Sequence, residues 1–122
     1  MTLNPTNVNV TTAGAHTLTV AEVLSGFITR TGAPGAFVDT LPPTSDILSA
    51  LQAQTPFVVQ LINATSYQWT LDAGDAGTTV VAGAGMLGES VIPADNIVVT
   101  LVTPTGNTVT VTLLYPILNA NN

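Results

Sequence analysis

The sequence predicts an all-β domain, a jelly-roll-like β-sandwich of about eight strands with one short helix. Three observations predict it. Stretches rich in valine, isoleucine, threonine and aromatics alternate apolar and polar side chains, as half-buried strands do. Glycine, proline, asparagine and aspartate punctuate them at intervals of roughly 8–12 residues, the spacing of a sandwich. Only one segment, residues 44–51, carries convincing helical spacing.

Residues 7–11 alternate through Val8 and Val10, and Ala13-Gly14 makes a turn. Residues 16–20 alternate again, with Leu18 and Val20 on one face. Residues 21–25 suit a single helical turn, too short to stand alone. Phe27, Ile28 and Thr29 then form a strand that ends in Arg30, the only Arg or Lys of the chain. Gly32-Ala33-Pro34-Gly35 reads as a turn, Asp39-Thr40-Leu41 as a short return strand, and Pro42-Pro43 closes it. Thr44 or Ser45 is placed to cap a helix bearing Ile47, Leu48 and Leu51.

In residues 57–63 Phe57, Val59 and Leu61 share one face and Val58, Gln60 and Ile62 the other. Both faces are largely apolar, so the strand is central or lies in an intersubunit contact. Residues 67–71 set Tyr67, Trp69 and Leu71 together, DAGDAG at 72–77 is turn-rich, and 78–82 is a further strand. Gly83-Ala84-Gly85 makes a corner, and Pro93 ends a short strand at 90–92. Residues 96–103 and 108–115 form a hairpin through Pro104-Thr105-Gly106-Asn107. On its second arm Val109, Val111 and Leu113 face one way and threonines the other. The whole, residues 1–122, reads as one domain with a short polar N-terminal arm and a polar C-terminal tail.

Composition narrows the function. Hydrophobic residues make up 46% of the 122 and charged residues 7%, against about 25% charged in an ordinary soluble domain. Mean hydropathy is +0.49. Such a surface repels other protein weakly and favours packing against it. Net charge is −6, from seven acids and one base. Nucleic-acid binding and attraction to anionic membranes both need cations that this chain lacks. There is no cysteine, hence no disulfide, thiolate or zinc–sulfur site. The N-terminus lacks the pattern of a signal peptide, and no apolar run approaches the roughly 20 residues of a spanning helix.

No catalytic, cofactor or metal site is expected, and the chain does not read as an enzyme. Gly83-Ala84-Gly85-Met86-Leu87-Gly88 matches G-x-G-x-x-G, but β-branched residues and Pro93 follow where the dinucleotide fingerprint needs a helix. The absence of lysine excludes a Walker loop. His16 is the lone histidine, and no serine sits in a G-x-S-x-G elbow. Asp72 with Asp75, or Asp39 with Asp46, read as turn carboxylates rather than a calcium cage.

The order of short motifs carries one further signal. A Gly-Phe-Ile-x-Arg strand at 26–30, a glycine turn, Asp39-Thr40-Leu41-Pro42 leading to a short helix, FVVQLIN at 57–63 and WTLDAG at 69–74 follow one another. Together, over roughly residues 20–88, they resemble a family of small tailed-phage virion proteins that includes capsid cement, or decoration, proteins. The likeness implies a structural protein that binds the outside of a phage capsid and cements or decorates neighbouring capsomers. Its partners would be the major capsid protein and further copies of itself, a trimer rather than a dimer. It would be soluble in the host cytoplasm before assembly and would need no cofactor.

Within that frame Phe57, Val59, Leu61, Val109, Val111 and Leu113 are the expected interface. Arg30 is expected to pair with Asp39 and pin the strand–turn–strand register, with a reach to an acidic patch on the shell as the competing role. A receptor- or glycan-binding module of a fibre or head appendage is the alternative. It would show Tyr67, Trp69 or Tyr115 in an exposed cleft.

Overall fold

A computed structural model of the protein describes residues 6–51, 55–86 and 90–118. It shows an all-β sandwich of two sheets. Nine strands are present among the described residues: β1 (Thr6–Val10), β2 (Gly26–Arg30), β3 (Phe37–Thr40), β4 (Phe57–Asn63), β5 (Trp69–Asp72), β6 (Thr78–Ala82), β7 (Val91–Ile92), β8 (Asn96–Thr105) and β9 (Thr108–Leu118). Two helices accompany them, α1 (Val20–Val23) and α2 (Thr44–Ala50). Neither is long and apolar enough to cross a membrane.

The large sheet has the order β1-β2-β4-β8-β9-β6 and the small one β3-β5-β7. The β1–β2, β2–β4, β3–β5 and β6–β9 pairs are parallel, and β4–β8, β5–β7 and β8–β9 antiparallel. Parallel neighbours need crossovers, and these decide the shape. The chain leaves β1 through α1 to reach β2, and leaves β2 through β3 and α2 to reach β4. Val23 of α1, Ile47 of α2 and Phe37 of β3 join one buried cluster with Ile28, Val59, Leu61, Val98, Val102, Val111 and Leu113 of the large sheet. Every crossover therefore covers the same side of that sheet. Each fully buried aliphatic there stabilises by about 1.5–3 kcal/mol.

Two elements differ from the sequence expectation. Residues 16–20 make only an isolated bridge, Thr17 with Thr40. The segment is claimed instead by α1, because Thr19 and Glu22 form a capping box: the Glu22 N–H donates to the Thr19 hydroxyl and the Thr19 N–H to the Glu22 carboxylate. For α2, neither Thr44 nor Ser45 caps the helix. Pro43 occupies the cap position, with no side-chain cap bond. The Thr44 N–H finds the Asp75 carboxylate instead, 3.1 Å away on the β5–β6 connection.

The hairpin turn is tighter than expected. β8 runs on through Pro104 to Thr105, leaving Gly106-Asn107 as the loop. Gly106 has a φ of +59°, the sign a type II′ turn demands at its first position. The register slips between Val99 and Thr100, so Leu114 is the extra residue of a bulge. The corner after β6 packs on that bulge. A Cβ on Gly85 would lie 2.5 Å from the Leu114 carbonyl oxygen. The G-x-G of the spurious dinucleotide motif is thus a close backbone approach, while Leu87 and Gly88 lie outside the described residues. Gly85→Ala is expected to cost about 1–3 kcal/mol, as overpacking does, read as a lowered thermal midpoint. The expected C-terminal tail, residues 119–122, and most of the N-terminal arm also lie outside the described residues.

Candidate functional site

The side chains richest in chemistry gather at one end of the sandwich. β2 alternates so that Ile28 and Arg30 point inward, and parallel pairing sets Arg30 beside Asn63 at the end of β4. A guanidinium on an inward position must find acceptors for all its five N–H groups. Nε donates to Asp39 Oδ2 at 2.7 Å and Nη2 to Asp39 Oδ1 at 3.1 Å. Nη1 donates to the carbonyls of Val10 at 3.3 Å and Thr12 at 2.9 Å, and Nη2 to that of Gly14 at 2.5 Å. The Arg30 guanidinium carbon also lies 4.4 Å from the Phe37 ring centroid, and that ring stacks on Trp69 at 6.0 Å. Arg30 and Asp39 are fully buried.

The expected pair is therefore present, but its role differs. β2 and β3 do not pair with each other; they belong to different sheets. Arg30–Asp39 joins the two layers and draws in the loop after β1, rather than pinning the register of adjacent strands. The alternative, a reach to a shell, is incompatible with complete burial. Asp39 Oδ1 also accepts the His16 N–H at 3.0 Å.

Asn63 is a second hub, which the sequence reading passed over. Its Nδ2 donates to the carbonyls of Tyr67, Ile92 and Pro93 at 2.8, 3.0 and 3.2 Å. Its Oδ1 accepts the N–H and hydroxyl of Thr65. It ties the large sheet to the edge of the small one. The available signal was an asparagine at the inward parity of an apolar strand, followed by threonine two residues on.

Elsewhere the Trp69 indole N–H is buried without a hydrogen-bond partner among the described residues, whereas Asp75 is fully committed. The Asp75 carboxylate takes the Thr44 hydroxyl, the Thr44 N–H and the Gly77 N–H, which together hold its carboxyl below the ordinary range. Neither Asp75 nor any group of three His, Asp or Glu among the described residues is arranged to hold a metal. A void of about 10 Å³ between the sheets, lined by Leu18, Ile28, Val59 and neighbours, has room for one water at most.

His16 Nε2 lies 3.0 Å from Glu22 Oε1. Partial burial would raise the Glu22 carboxyl, but the Thr19 N–H and the His16 ring outweigh this and hold it below its ordinary value of 4.5. A depressed carboxyl contributes stability above its unfolded value, lost as pH falls through the folded one. Glu22→Gln, which keeps the capping geometry, is expected to flatten the decline of thermal midpoint below pH 4.5.

Five of the six expected interface residues are buried and the sixth, Phe57, is partly buried. Val59, Leu61, Val109, Val111 and Leu113 are at most 2% exposed, and Phe57 packs against the same core. Other residues of the same strands point outward instead: Val58 is 50% exposed, Tyr115 48% and Ile117 45%. On the outer face Ile62, Ile97 and Ile117 form one cross-strand row, and Val58, Leu101 and Thr112 another. Thr79, Thr110 and Thr103 make a third. In all six strands of the large sheet the only charged residue is Arg30, which faces inward. Of the aromatics offered for a binding cleft, Trp69 is fully buried, while Tyr67 and Tyr115 are exposed. Compared with protein-family models, curated proteins and solved structures, the chain matches none.

Proposed function

We propose that this is a structural, non-catalytic virion protein that binds the outside of a phage capsid and cements or decorates neighbouring capsomers. The observation that carries the reading is the division of labour between the two faces of the large sheet. One face spends the conspicuous polar side chains Arg30 and Asn63 on joining the layers, Arg30 through Asp39 of the small sheet. Among the described residues the other carries aliphatic, threonine and amide side chains and no charge. Charge depletion with aliphatic and aromatic side chains characterises the core of a protein–protein contact. A protein that works by contact needs such a face and no reacting group. The motif order from residue 20 to 88 supports the capsid as destination, with the major capsid protein and further copies of the chain as partners. Many identical weak contacts on one shell add collectively.

Mixing the purified protein with bare phage heads tests this. Saturating, symmetric occupancy of the shell is the expected result. Binding to cells or glycans without binding to heads would replace it with the receptor-module reading, for which Tyr67 and Tyr115 are the remaining exposed aromatics.

A further inference from the structure

We infer that the outer face of the six-stranded sheet seats the same face of a second copy, forming a two-fold dimer. The argument is one of charge placement. Apart from the buried Arg30–Asp39 pair, the described carboxylates are Glu22 on α1, Asp46 on α2, Asp72 on β5, Asp75 on the β5–β6 connection and Asp95 before β8. None lies on a strand of the large sheet. Two copies of net charge −6 repel wherever these acids meet. Packed sheets lie about 10 Å apart. Two copies joined by their outer faces thus place α1, α2 and the small sheets, with Glu22, Asp46 and Asp72, outermost, and roughly 30 Å separates the two small sheets. That is several times the Debye length of about 8 Å at physiological salt. Asp95, just before β8, stays at the rim of the contact.

The face also disfavours charged partners by its own chemistry. It offers no carboxylate to a basic surface and no cation to an acidic one. What complements a neutral plane of Val58, Gln60, Ile62, Ile97, Leu101 and Ile117 is another neutral, largely apolar plane, and this chain supplies one on every copy. Self-packing of one patch is isologous, so the closed form is a dimer, in place of the trimer that the resemblance implies. The inference rests on the reading that the protein works by contact, but not on the capsid as its destination.

Light scattering coupled to gel filtration of the full chain at 1–100 µM (a range of about 100-fold that brackets ordinary affinities) tests it. A dimer is expected, with a dissociation constant nearly unchanged between low and high salt. Val58→Asp and, separately, Ile117→Asp should weaken it by about 100-fold or more, because each buries an unpaired carboxylate. Val38→Asp, at a 40% exposed position of the small sheet, adds the same charge and should leave the dimer intact. Circular dichroism of each variant checks that it is folded. A monomer throughout, a higher oligomer, or a dimer indifferent to both face substitutions would overturn the inference. A face-sensitive dimer that ignores bare heads would leave it standing and remove the capsid reading instead.

Discussion

Asp39→Asn is expected to destabilise the protein by about 3–5 kcal/mol, the cost of leaving a buried charge without its counterion. Total stability for a domain of this kind is about 5–15 kcal/mol, so the variant should sit near the edge of folding. The asparagine would still accept one bond, but its amide group would confront the guanidinium that now meets Asp39 at 2.7 and 3.1 Å. Replacing a buried ion pair by two apolar residues is often harmless. Here it should not be. The Arg30 guanidinium also serves the carbonyls of Val10, Thr12 and Gly14, and Asp39 serves the His16 N–H. Arg30→Met with Asp39→Leu therefore leaves three backbone groups, the Thr12 and Gly14 carbonyls and the His16 N–H, without their partners, each costing about 1–3 kcal/mol where it stays dry, while the Val10 carbonyl keeps the Thr31 N–H. Urea unfolding with an unchanged m-value would measure both effects. A double variant as stable as the parent would show that the pair, and not the hub, is what matters.

Asn63→Ala should be the other severe substitution, at about 3 kcal/mol or more. It removes a donor to three carbonyls and the acceptor for the Thr65 N–H and hydroxyl. The Tyr67 and Pro93 carbonyls keep the Thr65 hydroxyl and the Asn96 N–H, and each buried group left without a partner costs about 1–3 kcal/mol. Asn63→Asp should be worse than alanine at neutral pH, although it is nearly isosteric. It retains the acceptor for Thr65 but turns a carboxylate toward the carbonyls of Tyr67, Ile92 and Pro93. Because Asn63 joins β4 to the exit of β7, near-ultraviolet circular dichroism from Trp69, the sole tryptophan, should change with it. An alanine variant within about 1 kcal/mol of the parent would show the network to be redundant or solvated.

These two hubs also mark how far the sequence could be read. β2 was legible because Phe27-Ile28-Thr29 can hardly be anything but a strand. The Arg30–Asp39 pair was legible because this one cation serves seven acids and Asp39 lies on the strand that follows the turn after β2. The 96–115 hairpin followed from alternation and a glycine turn. What the alternation could not say was which face of β4 is inside. Phe57, Val59 and Leu61 are as apolar a set as Val58 and Ile62, and a shift of one residue exchanges core for surface. The choice is made by the side to which α1, β3 and α2 cross over, a property of the whole chain. Asn63 went unnoticed for a related reason: an asparagine at a strand end reads locally as the start of a turn. Only the arrival of β7, some thirty residues later, makes it a hub. The capping box of α1 lay in plain view in Thr19-x-x-Glu22, masked by the alternation of residues 16–20.

The central claim is that β4 turns its odd positions to the core and presents its even ones to another protein. Val58 is 50% exposed and Val59 2%, adjacent residues of the same type in the same strand. Thermal unfolding of Val58→Asp and Val59→Asp compares the two directly. Measured at a protein concentration low enough for the parent to be monomeric, Val58→Asp is predicted to fold, with stability within about 1 kcal/mol of the parent, the range of strand propensity. Val59→Asp should lose cooperative unfolding altogether, since it drives a carboxylate into the apolar layer between the sheets. A stable Val59→Asp beside an unfolded Val58→Asp would contradict the account, and would return Phe57, Val59 and Leu61 to the surface.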